Sequence, residues 1–500
     1  MELLSNLSLG FDAVLTFQNL WYCFLGALLG TLIGVLPGLG PVATIAMLLP
    51  VTYGLPPLSA LIMLAGIYYG AQYGGSTTAI LVNLPGESSS VVTCLDGYAM
   101  ARQGRAGAAL GIAALGSFFA GTAATLLIAA AASPLAEFAL RFGPAEYFSL
   151  MFLGLITAVA LAHGDFFKAI AMVALGLTLG LVGIDVNSGV ERFTFGLPEL
   201  SDGVSFVALS MGLFGVAEIL ANLELREKRE VFTQNIGSLL PSRQDLRAAF
   251  KPVLRGTLLG SALGILPGGG AVLSSFTSYT LEKRLAKDPS RFGKGAIEGL
   301  AGPESANNAG AQTSFIPLLV MGLPSNAVMA LMVGAMMIHG VVPGPQVMTE
   351  RPELFWGLIA SMWLGNFFLV LLNLPLIGIW VRLLKVPYRL LYPVVLVFCC
   401  VGVYSVSNSV FDVGLALFFG FVGYLFLKLG CEPAPLLLGF VLGPMMEENL
   451  RRAMLLARGD ASVFFTRPIS CTLLVLCIAL ILLLAWPQAR KARETAFQEG

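Results

Sequence analysis

Charged side chains are scarce in this sequence. Its 500 residues include 29 Lys and Arg, 29 Asp and Glu, and only two histidines. Soluble domains are about 25% charged, whereas this chain is 12% charged. A chain with so few charges cannot cover a water-facing surface, so a soluble globular enzyme is excluded. The net charge of zero also excludes nucleic-acid binding through a basic surface, and no nucleic-acid partner is expected.

Motifs of soluble catalysis and of ATP hydrolysis are also missing. The sequence has no Walker-type phosphate loop and no nucleophile elbow, and its two histidines, His163 and His339, lack acidic neighbours that would indicate a zinc site. The seven cysteines lie mostly in apolar runs and are expected to be buried as small apolar side chains. No basic segment precedes the first apolar run, so no cleaved signal is expected. We therefore expect neither enzymatic activity nor a bound cofactor.

Long apolar runs are abundant instead. Hydrophobic residues make up 57% of the chain, and its mean hydropathy is +0.83. Because a spanning helix needs roughly 20 apolar residues, we expect an all-α polytopic membrane protein with about 10–12 transmembrane helices. The candidate spans are 58–82, 107–132, 146–162, 167–184, 204–222, 296–320, 354–379, 390–408, 411–427 and 468–486, together with the interrupted segments 20–50 and 252–280.

Glycine and proline are frequent for a chain of spanning helices, with 57 and 27 residues. Some of them belong to an internal match. Residues 26–40 (GALLGTLIGVLPGLG) and 256–270 (GTLLGSALGILPGGG) are identical at nine of fifteen positions. Gly-Ala-Gln follows in the same order, at 70–72 and again at 310–312. Two ordered matches predict an internal duplication, which is typical of secondary transporters.

The basic residues indicate how the two halves lie in the membrane. Segments 20–50 and 252–280 are each interrupted by Leu-Pro-Gly, but basic residues flank only the second segment. The positive-inside rule then predicts two inverted repeats, each with a Leu-Pro-Gly-broken helix or a re-entrant hairpin. The choice between hairpin and broken crossing helix stays open. The side of the C-terminus stays open too, because either 326–342 or 433–446 could cross as well. The expected divisions are 1–222 (first inverted repeat), 223–251 (cytoplasmic basic linker) and 252–500 (second inverted repeat).

The two Leu-Pro-Gly breaks are the first candidate binding elements. Proline removes a backbone donor and glycine permits conformations closed to other residues, so both end a helix within the apolar segment. The freed groups are tolerated only against protein or a watery cavity, and a helix N-terminus there can bind an anion. A packing kink is the alternative, because the glycines also form GxxxG ladders. The predicted substrate-binding residues at the breaks are Pro37, Gly38, Gly40, Pro267, Gly268, Gly269 and Gly270.

Small residues, hydroxyls and amides are concentrated in two further segments, one in each half. Hydroxyl groups can coordinate a hard cation or donate to a substrate carboxylate. Alternatively, each hydroxyl bonds the carbonyl four residues earlier in its own helix. The predicted substrate-binding residues here are Tyr73, Gly74, Gly75, Ser76, Thr77, Thr78, Gln312, Thr313, Ser314, Ser325 and Asn326.

A carboxylate and two amides share one predicted helix face. Glu304, Asn307 and Asn308 are spaced i, i+3 and i+4, which places them side by side. Such groups are expensive to bury in an apolar segment and are functional by default. A polar patch at the inner end of the span is the alternative. Together with Asn83, these three residues are the predicted ligands of a coupling ion, Na⁺ or H⁺.

These motifs together resemble the tripartite tricarboxylate transporter family, and within it the large membrane subunit of the TctA type. The resemblance covers essentially the whole chain and contains no clear departure at the motifs. The matching strings are GVLPGLGP (34–41), YGAQYGGSTT (69–78), NLPGE (83–87), LDGY (95–98), GPESANN (302–308) and VPGP (342–345).

The resemblance implies a multi-pass secondary transporter of the bacterial cytoplasmic (inner) membrane. It implies import of citrate or another carboxylate, driven by an ion gradient through alternating access. The implied partners are a small TctB-like membrane subunit and a periplasmic TctC-like solute-binding protein, besides membrane lipid. Two alternatives stay open: a stand-alone carboxylate carrier or channel without a binding protein, and an intramembrane enzyme using Asp96 and Glu304.

Overall fold

Helices form nearly all of the regular structure of this chain. The computed structural model describes residues 2–36, 39–162, 165–185, 187–224, 236–266, 270–384 and 388–485. Several sequence-based predictions fall outside the described residues: Pro37, Gly38, Pro267, Gly268 and Gly269 of the two breaks, His163, and residues 225–235 of the linker.

In the described part of the chain, ten helices begin before residue 225 and twelve begin after residue 242. The first ten are α1 (Glu2–Val14), α2 (Phe17–Gly34), α3 (Pro41–Leu48), α4 (Pro57–Val82), α5 (Val91–Thr93), α6 (Ala106–Ala139), α7 (Pro144–Leu161), α8 (Phe166–Gly180), α9 (Phe206–Ser210) and α10 (Ala217–Glu224). The others are α11 (Arg243–Gly264), α12 (Gly270–Leu285), α13 (Ile297–Thr313), α14 (Ala327–Ile338), α15 (Gln346–Glu350), α16 (Pro352–Asn373), α17 (Ile377–Leu383), α18 (Tyr388–Ser407), α19 (Val410–Lys428), α20 (Pro433–Leu456), α21 (Val463–Thr466) and α22 (Pro468–Ala485).

Shorter elements extend or join these helices. A two-stranded antiparallel sheet pairs β1 (Gly183–Ile184) with β2 (Glu191–Arg192). The 3-10 turns are Leu49–Thr52, Ser88–Ser90, Pro198–Leu200 and Pro289–Arg291. The π-helical segments are Cys94–Tyr98, Ala101–Arg105, Met211–Val216 and Pro317–Met321.

The prediction of an all-α polytopic membrane protein is confirmed. Each of the ten uninterrupted apolar runs contains a helix. Among the described residues, five helices are long and apolar enough to cross a membrane, and seven shorter apolar helices accompany them. The total of about 10–12 spans stays a prediction. The five long helices are Phe17–Gly34, Ala101–Ala139, Phe206–Glu224, Pro352–Asn373 and Val410–Lys428.

Glycines allow α2 to run directly alongside α4. A Cβ added at Gly26 would collide with the backbone of Met63, and one at Gly34 would collide with that of Ala71. The residue numbers rise together, so α2 and α4 are parallel. The 3-10 turn at residues 49–52 follows α3 and contacts α4. Only a short segment separates this turn from the start of α4. Helix α3 therefore runs back toward the start of α4, and α2 and α3 form a helical hairpin.

The same relation holds between α11 and α13. A Cβ at Gly256 would collide with Gly302, and one at Gly264 would collide with Gly310. These two helices are therefore parallel as well. As in the first half, the GxxxG ladder brings two helix backbones into contact, which is the packing role that such ladders have in membranes.

Helix α12 runs in the opposite direction along α13. Ser274 lies against Gly310, whereas Glu282 lies against Gly302. At the open end, Arg255 of α11 donates from Nε to Oε1 of Glu282 at 2.7 Å. Helices α11 and α12 thus form a second hairpin, and of the two arrangements left open by the sequence, the contacts select the hairpin over a broken crossing helix.

The two hairpins point in opposite directions because α4 and α13 are antiparallel. The rings of Tyr68 and Phe315 lie 6.3 Å apart, whereas Ser76 is bonded to Glu304. The residue numbers therefore fall along α13 as they rise along α4. Each of these helices packs in addition against a long helix of the other half, α4 against α16 and α13 against α6.

One end of the bundle is basic, and we call it the linker face. Here Arg105 pairs with Asp245 at 2.7 Å, and Gln103 Nε2 donates to the carbonyl oxygen of Lys294 at 2.8 Å. The chain therefore leaves α4, enters α6 and begins α11 at this face. The second hairpin opens at the linker face and the first hairpin opens at the opposite face.

Helix α20 crosses the bundle. Lys428 at the end of α19 pairs with Glu224 at the end of α10, on the linker face. Farther along the chain, Glu447 near the end of α20 accepts from Arg192 at 2.8 Å, in the loop between α8 and α9 at the opposite face. The segment 433–446, whose crossing the sequence left open, therefore spans the bundle.

The contacts of α22 show the direction in which this helix runs. Arg467 Nε donates to Glu146 Oε1 at 2.5 Å, and the hydroxyls of Ser149 and Ser470 lie 2.8 Å apart. Helices α7 and α22 thus start together at the opposite face and pack against each other. Helix α22 ends on the linker face, and the sequence that follows it is basic, as the positive-inside rule expects of a cytoplasmic side.

Asp185 fixes the loop that carries the two short strands. Its carboxylate accepts from the Asn187 backbone N–H at 3.1 Å, the Ser188 hydroxyl at 2.8 Å and the Arg451 guanidinium at 3.0 Å. These donors lower the pKa of Asp185 to about 2. The carboxylate therefore remains ionised, and the contact between this loop and α20 persists throughout the physiological pH range.

The close contact between α11 and α13 predicts a large effect for one added methyl group. A Cβ at Gly260 would overlap the carbonyl oxygen of Ala306, so Gly260→Ala is expected to lower the free energy of unfolding by about 1–3 kcal/mol. Gly414→Ala is the matched control, because no atom lies within 4 Å of that Cβ position in α19. The control should be neutral or stabilising. Equal melting temperatures of the two variants in detergent would contradict the prediction.

Candidate functional site

Glu304 lies in the middle of α13 with 1% of its surface exposed. The Ser76 hydroxyl on α4 donates to its Oε2 at 2.7 Å, and the Thr93 hydroxyl donates to its Oε1. A carboxylate in an apolar bundle needs such donors because water does not solvate it. Within the part of the chain that the structure describes, no Lys or Arg forms an ion pair with Glu304.

Asn307 connects the same helix to a second carboxylate. Its Nδ2 donates to Oε1 of Glu87 at 3.1 Å, while its Oδ1 is buried without a hydrogen-bond partner among the described residues. Glu87 precedes the 3-10 turn that leads into α5. Glu304 and Glu87 are thereby held about one turn of α13 apart. Glu87 is not among the predicted binding residues.

Asn308 faces a third helix. Its Nδ2 donates to the Ser117 hydroxyl of α6 at 2.7 Å and to the carbonyl oxygen of Glu304 at 3.1 Å. The three predicted ligands of α13 therefore do lie together, but each bonds a different neighbour. Glu304 bonds α4 and α5, Asn307 bonds the loop after α4, and Asn308 bonds α6.

A cavity of about 20 Å³ adjoins the Glu304 carboxylate. A water molecule needs roughly 10–15 Å³ of such space, so the cavity holds one particle of that size. A tricarboxylate does not fit into it, so the substrate position is elsewhere in this conformation or requires helix movement. The polar side chains that line the cavity are Tyr73, Ser76, Thr77, Ser117, Glu304 and Asn373.

Hydroxyls close the ends of both broken helices. We call the described residues on either side of the two breaks the first tip (35–36 and 39–40) and the second tip (265–266 and 270). Thr78 Oγ1 donates to the carbonyl oxygen of Val35 at 3.0 Å, and Ser314 Oγ points to that of Gly264 at 3.4 Å. Carbonyl groups at a helix end have no partner within the helix. These two predicted site residues therefore hold the tips against α4 and α13.

The loop after α4 lies against the first tip. A Cβ at Gly86 would collide with the Cα of Gly75, and a Cβ at Gly40 would lie 3.5 Å from the Gly86 carbonyl oxygen. A Cβ at Gly74 would lie 2.6 Å from the backbone nitrogen of Val35. The predicted glycines Gly40, Gly74 and Gly75 thus lie together, and their lack of a side chain is what allows three backbone segments to meet.

The loop after α13 lies against the second tip. Asn326 Nδ2 donates to the Ser314 hydroxyl, and the Ser325 hydroxyl donates to the Ser314 carbonyl oxygen, both at 3.3 Å. Gly270 begins α12 with φ of +45°, a left-handed conformation that favours glycine. The four predicted residues Gly270, Ser314, Ser325 and Asn326 are therefore neighbours.

The remaining predicted residues have local contacts. The hydroxyls of Thr77 and Thr313 each donate to the carbonyl four residues earlier, at 3.1 Å, which is the alternative that the sequence left open. Gln312 Oε1 is buried without a partner among the described residues. Asn83 ends α4 in a left-handed conformation and is exposed, and no described hydrogen bond joins it to Glu304. A capping role accounts for Asn83, and its role as a cation ligand stays a prediction.

Asp96 caps the start of α13. It is fully buried and accepts from the backbone N–H groups of Gly295 at 2.8 Å and Ala296 at 2.7 Å, and from the Tyr279 hydroxyl at 3.1 Å. Glu304 lies eight residues after Ala296, which is about 12 Å along the axis of α13. The two acidic residues therefore do not form a catalytic pair, and Asp96 instead positions α13 and α12.

Sequence reasoning missed several side chains of this site. Asn366 of α16 accepts from the Tyr73 hydroxyl at 3.1 Å, and Asn373 lines the cavity. Their spacing of seven residues places them on one face of an apolar helix, a signal that was present in the sequence. Glu87 occupies the position in Leu-Pro-Gly-Glu that Asn326 occupies in the second half. No pattern singles out Thr93.

Comparison with known proteins identifies the family. The sequence profile of the tripartite tricarboxylate transporter TctA family matches residues 20–438. The chain belongs to this family. The match contains both hairpins, Glu304 and the segments that surround them.

Two relatives of this TctA-family chain come from Agrobacterium vitis. An uncharacterized 52.8 kDa protein in the TAR-I ttuC' 3'region is 59% identical over 499 residues, which cover 100% of this chain and 99% of the relative. An uncharacterized protein in the TAR-II ttuC' 3'region is 58% identical over 240 residues, which cover 48% of this chain and 99% of that relative. No solved structure matches the chain.

Membership in the TctA family makes this multi-pass membrane protein a component of a tricarboxylate transporter rather than an enzyme. The polar contacts of the site join α4, α6, α13 and the loop after α4, and these elements come from both halves of the chain.

The cap on α13 predicts a strong effect of Asp96 on stability. Asp96→Ala removes a charged acceptor from two backbone N–H groups, so the free energy of unfolding should fall by at least about 3 kcal/mol. Asp96→Asn keeps one acceptor oxygen, so its free energy of unfolding should fall by less. Tyr279→Phe removes a single hydrogen bond and serves as the reference. If Asp96→Ala unfolds in detergent no more readily than Tyr279→Phe, the capping role is wrong.

Proposed function

We propose that this chain is the large permease subunit of a binding-protein-dependent secondary transporter. It imports a citrate-like tricarboxylate or another carboxylate across the bacterial cytoplasmic (inner) membrane, driven by a Na⁺ or H⁺ gradient. One observation carries the proposal. Two oppositely directed hairpins reach the buried polar surface of α4 and α13 from opposite ends of the bundle, so that small movements can expose this region to either side in turn.

Inverted repeats account for this arrangement in the proposal. The first repeat (1–222) contains α2, α3 and α4. The second (252–500) contains α12, α13 and all of α11 except its first nine residues. Corresponding helices make corresponding contacts, since α2 packs on α4 as α11 packs on α13. The linker face carries the basic residues and is the cytoplasmic side, so the periplasmic side is the opposite face. Alternating access then consists of movement of one hairpin unit relative to the other.

The substrate carboxylates bind at the tips in this proposal. Helix α3 begins at Gly40 and Pro41 without a side-chain cap, which leaves backbone N–H groups as donors for an anion. Ser325 and Asn326 supply a hydroxyl and an amide at the second tip. None of the predicted substrate-binding residues is Lys or Arg. The negative charge of the substrate therefore has to be offset by a cation bound close to it.

The coupling ion supplies that cation. Glu304 is buried without a basic partner among the described residues, and Asn307 and Asn308 flank it on the same helix face. A buried carboxylate with neutral donors only is the kind of group that binds a proton or Na⁺ in transporters. Binding of the ion neutralises Glu304 and lowers the cost of bringing a carboxylate to the neighbouring tips.

The family implies two further components, and the proposal includes both. A periplasmic TctC-like protein delivers the substrate to the face opposite the linker. A small TctB-like membrane subunit packs against an apolar outer surface of the bundle. Large apolar side chains are exposed on α18, α19 and α22, which can contact either this subunit or lipid.

Uptake by a variant that lacks two hydroxyls tests the site. Ser76→Ala with Thr77→Ala should reduce carboxylate uptake by reconstituted vesicles about tenfold or more, because Ser76 donates to the charged Glu304. Thr77→Ala alone should have little effect, since that hydroxyl bonds its own helix. Thr125→Ala, which removes another buried hydroxyl bonded to its own helix in α6, is the control. Unchanged uptake and affinity in the double variant would remove this pair from the site.

Separate ion gradients test the coupling. Vesicles that contain the complete transporter should accumulate carboxylate against its gradient when either an inward Na⁺ gradient or an inward proton gradient is imposed, depending on the coupling ion. Without either gradient, uptake should stop at equal concentrations. Accumulation that is indifferent to both gradients would contradict ion coupling, and unsaturable downhill flux would indicate a channel.

A further inference from the structure

We propose that the cavity beside Glu304 is a Na⁺ site completed by the side-chain oxygen of Asn373. The inference rests on the proposed ion coupling, and it goes further by naming the ion and a ligand from α16. Asn373 is the last residue of α16 and is 5% exposed. It comes from a part of the chain to which the sequence analysis assigned no binding role.

The amide of Asn373 is held in one orientation. Its Nδ2 donates to the carbonyl oxygen of Leu369 at 2.9 Å and contacts the Thr31 hydroxyl at 3.5 Å. Both donors of the amide are thereby engaged, which leaves Oδ1 as a free acceptor. This oxygen is buried and has no hydrogen-bond partner in the described structure. A buried carbonyl oxygen without a partner is costly, and Asn373 is one of the residues that line the cavity. The proposed occupant supplies the missing partner.

The chemistry of the lining fits a small monovalent cation. The polar residues that line the cavity are one glutamate, four hydroxyl residues and Asn373. All of them carry oxygen atoms, which hard cations prefer as ligands. One carboxylate balances one positive charge. The described residues contain no cluster of three or more His, Cys, Asp or Glu side chains, the kind of site that a divalent ion favours. The volume admits one particle of the size of a water molecule.

The free oxygen distinguishes Na⁺ from a proton. A proton bound to Glu304 neutralises that carboxylate but offers nothing to the other oxygens of the cavity. A Na⁺ ion in the cavity is coordinated by Glu304 and by Asn373 Oδ1, with Ser76 and Ser117 as further oxygen ligands. These residues belong to α4, α6, α13 and α16, so the bound ion draws together helices from both halves of the chain.

Thermal unfolding of the full-length chain in detergent, without substrate, tests the site directly. A ligand that binds only the folded state raises Tm in proportion to the logarithm of its concentration above Kd. Tm of the wild-type chain should therefore rise with NaCl at constant ionic strength, with choline chloride as the replacement salt. Asn373→Leu, which has a similar volume but no oxygen, should need about tenfold more Na⁺ for the same rise.

A second variant separates ion binding from a structural role. Glu304→Gln should abolish the Na⁺-dependent rise but should not lower Tm in choline chloride, because it removes an unpaired buried charge. A residue with a merely structural role would lower Tm in both salts and leave the Na⁺ response intact. Asn19→Leu is the matched control. Its amide is also buried, but it bonds Ala13 and Ser59 outside the cavity and should keep the wild-type Na⁺ response.

Two results would overturn the inference. Equal Tm values of the wild-type chain in NaCl and choline chloride would mean that water alone occupies the cavity, and a wild-type Na⁺ response in Asn373→Leu would remove Asn373 as a ligand. The proposed function is tested separately by uptake. Carboxylate accumulation driven by protons, without Na⁺ binding, would support the proposed transport function but exclude this Na⁺ site. Na⁺ binding without any carboxylate uptake would support this Na⁺ site and contradict the proposed transport function.

Discussion

A helix that ends inside an apolar bundle leaves carbonyl groups that neither the helix nor water can satisfy, and this constraint shapes the centre of the protein. The hydroxyls of Thr78 and Ser314 donate hydrogen bonds to carbonyl groups at the ends of α2 and α11. They can reach these carbonyls only because Gly34 and Gly264 bring the helix backbones into contact with α4 and α13. Each half of the chain therefore satisfies these carbonyl groups in the same way, through a glycine ladder, a pair of parallel helices and a hairpin.

Close backbone contact also explains where the polar side chains can lie. Helices that touch through glycine leave no room for water between them, so Glu304 depends on the hydroxyls of Ser76 and Thr93. Hydroxyl donors stabilise a carboxylate but do not cancel its charge. Basic residues are scarce in the whole sequence, and none of the described ones pairs with Glu304. In the proposed mechanism, a mobile cation supplies this counter-charge.

Sequence reasoning recovers the parts of this structure that are local. Runs of about 20 apolar residues define the spans, and the Leu-Pro-Gly strings locate both breaks. The pairs that position the site are distant in sequence, as with Thr93 and Glu304 or Asp96 and Ala296, and depend on tertiary packing that no single-sequence pattern encodes. The crossing of α20 was ambiguous for a different reason. Pro444 and four charged residues lie within that helix and shorten its apolar run, the charged ones being Glu447, Glu448, Arg451 and Arg452.

The two tips have similar geometry but different chemistry. The loops that cover them, Leu84-Pro85-Gly86-Glu87 and Leu323-Pro324-Ser325-Asn326, correspond in sequence, so a carboxylate at one loop corresponds to an amide at the other. An anion near the first loop is repelled by Glu87 unless a cation is bound nearby, whereas Asn326 can donate a hydrogen bond to it. Two halves of like shape can therefore bind unlike partners. In the proposed mechanism, the second tip can therefore bind a substrate carboxylate directly, whereas a carboxylate at the first tip needs the cation bound beside Glu304.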